Sequence, residues 1–338
     1  MIQLPTMAPT RPGPGRDNSD GAPPRLGPPP AAQPPLPGSQ RAAQIPGQAP
    51  RPGSNQQRTP RQKTGVFGNN KGKTRLALDE FELRRLRGPV RSPRRIAVVG
   101  LKGGVGKTTL SVLLAGIYAR LRAEPVLLLD ADPTFGSLLL RSGVAPMHSA
   151  HDLAGRGDPG DFNILAPYLA LSASGPWVLP SGLDPGQSAR FDEATFVATM
   201  DVVHRHFPVT VIDCGAGLSG GLMRQLLGSA HTLVFATSPS IDGLTATYAG
   251  LRWIAEHGFG ALVSNSYVAV SAVPKRNSPV DLGAAARRFQ GVCRGLLTVP
   301  DDQHLRSGAR IDHSELGPDA AHAMLHVAAE VFEAALRA

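Results

Sequence analysis

The sequence predicts a doubly wound α/β domain, a mostly parallel sheet with helices on both faces, preceded by a disordered tail. Three observations carry this. From Ile96 onward short apolar runs alternate with stretches long enough to be helices, the texture of a parallel sheet covered on both sides. A segment rich in glycine and lysine directly follows the first of those runs and opens a helix. Before them, 16 of the 32 prolines precede Arg61, among Gly, Ala, Gln and Arg, a composition that buries too little apolar surface to offset chain entropy.

Taken in order, residues 1–76 form the predicted tail, with polyproline runs such as Pro28-Pro29-Pro30 and Pro34-Pro35, extended spacer chemistry that can also dock on a partner. Residues 77–94 form a basic amphipathic lead-in. There Leu78, Phe81, Leu83 and Leu86 mark one face of a short helix among Arg84, Arg85, Arg87, Arg91 and Arg94. The remaining domain, 95–338, has predicted strands at Ile96–Val99, Val126–Leu129, Trp177–Leu179, Val209–Ile212, Leu233–Phe235, Ala261–Val263 and Leu296–Val299. Helices are predicted at Thr108–Leu121, Phe191–His206, Gly243–His257 and Asp319–Leu336, the last packed through Met324, Val327, Val331 and Leu336.

The formal charge of +9 divides unevenly. Residues 1–95 carry 17 Lys/Arg against 5 Asp/Glu, and the rest carries 18 against 21. Attraction to a polyanion therefore belongs first to the tail. Two cysteines, Cys214 and Cys293, are too few for a disulfide framework. No apolar run reaches the roughly 18 residues of a membrane span, and the start lacks the apolar core of a secretory signal, so the protein is expected in the cytoplasm.

The segment Lys102-Gly103-Gly104-Val105-Gly106-Lys107-Thr108-Thr109 is a phosphate-binding loop in the right place, between a strand and a helix. Glycines allow backbone N–H groups to close on phosphate oxygens, and the helix N-terminus adds positive potential. Lys107 would neutralise the β- and γ-phosphates, and the Thr108 hydroxyl would join the shell of Mg²⁺. Leu101 stands where the general pattern has its first glycine, and an additional lysine, Lys102, stands next to it.

That loop resembles the deviant Walker A loop of the MinD/ParA family of P-loop ATPases. Two further segments resemble the family's motifs: Asp130-Ala131-Asp132-Pro133 its switch segment, and the strand ending Ile212-Asp213 before Cys214-Gly215-Ala216-Gly217 its Walker B segment. The resemblance implies that Asp132 orients the attacking water and that Asp130 and Asp213 lie near the metal. Lys102 would reach the partner's nucleotide in an ATP-dependent homodimer. Asn265 and the segment Val299-Pro300-Asp301-Asp302 resemble the adenine-binding region. Tail, lead-in and the ending from Val299 to Ile311 together resemble proline-rich members linked to type VII secretion in actinobacteria, which implies a protein partner such as a secretion component.

Two other readings stay open. One is a ParA-like ATPase that binds DNA non-specifically through Lys275, Arg276, Arg287, Arg288 or the tail. The other is a regulatory module that holds nucleotide without turnover. Direct membrane insertion is not expected, because the last helix carries Glu330 and Glu333 and only Arg337 near its end. His304 and His313 lack zinc-ligand spacing, and Ser219 has no triad context.

Overall fold

The computed structural model describes residues 79–134 and 136–338. Expectations for residues 1–78 lie outside the described residues. Eight strands form one sheet, in the order β3-β4-β2-β5-β1-β6-β7-β8. They are β1 (Arg94–Gly100), β2 (Val126–Ala131), β3 (Ala170–Leu171), β4 (Trp177–Leu179), β5 (Val209–Ala216), β6 (Thr232–Thr237), β7 (Tyr267–Val273) and β8 (Gly295–Pro300). All neighbours are parallel except the short edge pair β3 and β4.

Strand side chains alternate between two cores, as the two-residue period of a strand requires. Ile96 and Val98 of β1 join one cluster, with Tyr118, Met324, Val327 and Phe332. Ala97 and Val99 join the other, with Phe196, Phe235 and Leu251. The first core is roofed by the helices Lys107–Leu121 and Pro318–Arg337. These two are fastened together: the Tyr118 hydroxyl donates to the Ala328 carbonyl at 3.0 Å, and the Arg122 guanidinium stands 4.7 Å from the Phe332 ring centroid. Met324, Val327 and Val331 are buried, as the stripe on this helix predicts. Cys214 and Cys293 are also buried.

The lead-in is helical over residues 79–86 and lies on the terminal helix. Its inward face differs from the expected stripe. Leu86 and Glu82 are buried while Phe81 is 53% exposed, because the anchoring contacts are ionic. Arg85 bonds to Glu330 at 2.8 Å and to Glu333, and the His326 and His322 rings meet Glu82 and Asp79 at 2.8 and 2.6 Å.

One predicted strand is corrected. Ala261–Val263 belongs to a helix, Gly260–Ser264, which restarts after the chain passes through a left-handed residue at Gly258 (φ +96°). The strand of this region is β7, where Ala269, Ser271 and Ala272 dilute the apolar run. The correction moves Asn265 to the other end of the sheet.

Candidate nucleotide site

In a doubly wound sheet, ligands bind beyond the carboxyl ends of the strands where the strand order reverses. Here that point lies at β1, between β5 and β6. The loop after β1 ends at Gly106, which caps the helix Lys107–Leu121 at φ +93°, a conformation that penalises any side chain. A cavity of about 220 Å³ opens beside it. Gly104, Val105, Gly106 and Thr109 form one wall, and Pro239, Ser271, Pro300 and Asp301 stand opposite.

Lys107 is buried, its Nζ 3.4 Å from the Lys102 carbonyl oxygen, which folds the ammonium back over the loop. Asp130 and Asp213 are direct register partners on β2 and β5, so two buried carboxylates stand side by side at the mouth of the loop. Burial pushes Asp213 up to about 6, against the pull of hydrogen bonds from Thr108 and Ser111 and of the Lys107 charge. Burial and the neighbouring Asp213 raise Asp130 well above the usual carboxylate range. Ser111 Oγ stands 2.9 Å from Asp213 Oδ1.

Asp132 lies just beyond, partly exposed, accepting from the Thr134 backbone N–H at 2.9 Å and its hydroxyl at 2.6 Å. A Cβ on Gly215 would stand 3.0 Å from Asp132 Oδ1, so glycine lets the segment after β5 approach the switch segment. Lys102 is half-exposed and bonds Asp242 Oδ2 at 2.5 Å. Gly103 faces open space.

Of the residues expected at the base, Pro300 and Asp301 line the cavity, and Asp301 bonds Arg306 Nε at 3.0 Å. Asn265 does not. It precedes β7, at the amino end of the sheet, where its side-chain amide donates to the His231 and Ala334 carbonyls at 2.9 Å each and its Oδ1 accepts from Arg294 at 2.8 Å. Its amide is spent on chain geometry, far from the phosphate loop.

Two wall residues were missed by sequence reasoning. Ser271 sits at the carboxyl end of β7, where the β7–β8 register shifts, the kind of irregularity common beside active sites. Its buried hydroxyl has no hydrogen-bond partner among the described residues. Arg141, on the helix Leu138–Ser142, is 8% exposed and donates to Thr109 Oγ1 at 2.5 Å. No local pattern marks either residue. A serine in a strand and an arginine in a leucine-rich helix acquire meaning only through contacts across the fold.

The site fits a magnesium nucleotide. A wall residue, Ser271, holds a buried hydroxyl with no partner among the described residues, the loop glycines leave a cradle that a Cβ at Gly106 would crowd against Ser271 at 3.1 Å, and the donors Thr108, Asp130 and Asp213 are all hard oxygens. Mg²⁺ takes one or two carboxylates, water and substrate phosphate in such sites.

Comparison with known proteins agrees. Residues 96–298 match the family described as the CobQ/CobB/MinD/ParA nucleotide binding domain. The chain is 32% identical over 244 residues to the ESX-1 secretion-associated protein EspI of Mycobacterium tuberculosis, across 71% of this chain and 37% of that protein. It therefore spans little more than a third of that relative's length. Among solved structures, the cell division ATPase MinD of Pyrococcus furiosus superposes with a TM-score of 0.58 at 24% identity, over 71% of this chain and 98% of that one. The septum site-determining protein MinD of Pyrococcus horikoshii, complexed with Mg-ADP, does so at 0.56 and 23%, over 70% and 94%. These two likenesses bear on the fold.

Proposed function

The chain belongs to the CobQ/CobB/MinD/ParA family of nucleotide-binding domains, and from that premise we propose that it binds and slowly hydrolyses ATP as a dimerising switch acting on a protein partner. The observation that carries this reading is the in-register pair Asp130 and Asp213 beside a buried Lys107 and a glycine-rich loop.

Each residue then has a task. Backbone N–H groups from Gly103 to Thr109 hold the phosphate chain, and Lys107 neutralises its β/γ end. Thr108, Asp213 and Asp130 hold Mg²⁺. Bound there, Mg²⁺ supplies charge neutralisation across the β- and γ-phosphates. Asp132 accepts a hydrogen bond from water and aligns it for attack. Lys102 reaches across to the nucleotide of a second copy, where a cation stabilises charge that develops on transfer. Its pairing with Asp242 is no obstacle, since both side chains are exposed and solvent screens such a pair. ATP thus holds two copies together, and hydrolysis separates them.

A secretion component is the class of partner that the likeness to EspI supports. DNA is the weaker alternative. Lys275 is paired with Asp319 at 2.9 Å, and Arg288 stands over the Tyr248 ring at 4.8 Å, so two of the four cations are engaged. No helix among the described residues is long and apolar enough to cross a membrane.

Phosphate release from the full chain with Mg-ATP tests the reading. Turnover that disappears in Lys102→Ala, with ATP still bound, is expected. Bound ATP without turnover in the unaltered chain, partner or no partner, would leave a module that only holds nucleotide.

A further inference from the structure

We infer that Arg141 is a positioning residue that clamps the base side of the nucleotide site to the phosphate side and so sets base selectivity; the inference rests on the nucleotide-binding reading above. The guanidinium bridges two segments distant in sequence. On one side it holds Thr109 Oγ1 at 2.5 Å, in the first turn after the phosphate loop. On the other it donates to the Leu305 carbonyl at 3.2 and 3.3 Å and to the Ala309 carbonyl at 3.1 Å. The Arg141 carbonyl accepts from the Ile311 N–H at 2.8 Å, so side chain and backbone together fix the 305–311 segment. Leu305 and Arg306, within that segment, line the same cavity as Pro300 and Asp301.

The chemistry requires arginine. A planar fork of donors can serve a hydroxyl and two carbonyls at once, whereas a lysine ammonium is a compact point charge. Because Thr109 Oγ1 accepts from Arg141, its own proton is free to point toward a ligand. The guanidinium is also buried without a carboxylate partner among the described residues. Asp301 is engaged with Arg306, and Asp302 accepts from the backbone of His304, Leu305 and Gly317. Burying an unpaired charge is costly, and a polyanion in the adjoining cavity offsets that cost. The fork therefore serves selectivity, and the charge serves phosphate.

The two roles separate in a pair of variants of the full chain, titrated with Mg-ATP, Mg-GTP and Mg-tripolyphosphate. Arg141→Lys keeps the charge and loses the fork. It is expected to keep tripolyphosphate affinity within about twofold while its preference for ATP over tripolyphosphate and over GTP falls about tenfold, the worth of one hydrogen bond to a charged group. Arg141→Met should lose the same preference and also weaken tripolyphosphate. Unchanged tripolyphosphate binding by Arg141→Lys doubles as evidence that it is folded. The inference is overturned if Arg141→Lys retains the wild-type preference, or if its ATP and tripolyphosphate affinities fall by the same factor. A wild-type chain that binds ATP no better than tripolyphosphate would defeat the nucleotide reading itself, and the base clamp with it.

Discussion

At the seam between the 79–86 helix and the terminal helix, opposite charges meet. Arg85 lies among Glu82, Glu330 and Glu333, with His322 on Asp79 and His326 on Glu82. At the carboxyl edge of the sheet the buried charges are arranged otherwise. Asp130 faces Asp213, and among the described residues Arg141 has only neutral acceptors and the Ser271 hydroxyl has no partner. The seam's buried groups find their partners within it, which fits a role in holding the lead-in. The edge leaves like charges and polar groups facing one another, which fits the proposed role of receiving a ligand that carries phosphate and a divalent cation.

The largest effect should come from the edge. Lys107→Ala removes the cation proposed to meet the phosphate chain, and ATP affinity measured by calorimetry should fall at least about a hundredfold, at the upper end for a charged hydrogen bond. Thermal stability without ligand should fall by less than binding does, since Lys107 Nζ makes one long hydrogen bond, to the Lys102 carbonyl, and its charge offsets the buried Asp213 carboxylate. At the seam the pattern should invert. Arg85→Met leaves Glu82, Glu330 and Glu333 with less compensation and should lower unfolding free energy by about 3 kcal/mol in denaturant titration, with ATP affinity unchanged.

Asn265→Ala sharpens the contrast at a third place. It removes three hydrogen bonds at the amino end of the sheet, and a loss of about 1–3 kcal/mol is expected, again with nucleotide affinity unaltered. A tenfold weaker affinity there would restore the adenine role that its position denies.

The effect confined to acid pH concerns His231, which accepts from the Arg95 N–H at Nδ1. Burial, with Arg95 and Arg94 nearby, depresses its pKa from 6.5 to about 4. The folded state therefore disfavours the charged ring. Its contribution is present above pH 6.5 and is lost as pH falls toward 4. His231→Gln should flatten the decline of melting temperature over that window relative to the unaltered chain.

These regions also differ in how far sequence reveals them. The phosphate loop, Asp130, Asp132 and Asp213 were legible because each is a contiguous motif tied to a strand end, and an apolar run locates a strand end well. Arg141 and Ser271 were not, because their places in the cavity wall arise from contacts across the fold. Arg141 meets Leu305 across 164 residues, and Ser271 meets the phosphate loop only through the order of β1, β6 and β7. Asn265 lies away from its expected place because three apolar residues before it, Ala261–Val263, carry a strand-like pattern but belong to a restarted helix. The lead-in helix was legible as an element but not in its orientation, since ion pairs rather than Phe81 set which face turns inward.

The most direct test of the switch is the mass in solution of the full chain carrying Asp132→Ala, in which the proposal expects turnover to be suppressed, with Mg-ATP, with Mg-ADP and with no nucleotide. The account predicts a doubling of mass with Mg-ATP alone. A monomer under all three conditions, with ATP shown to be bound, would contradict it and leave Lys102 without a second nucleotide to reach.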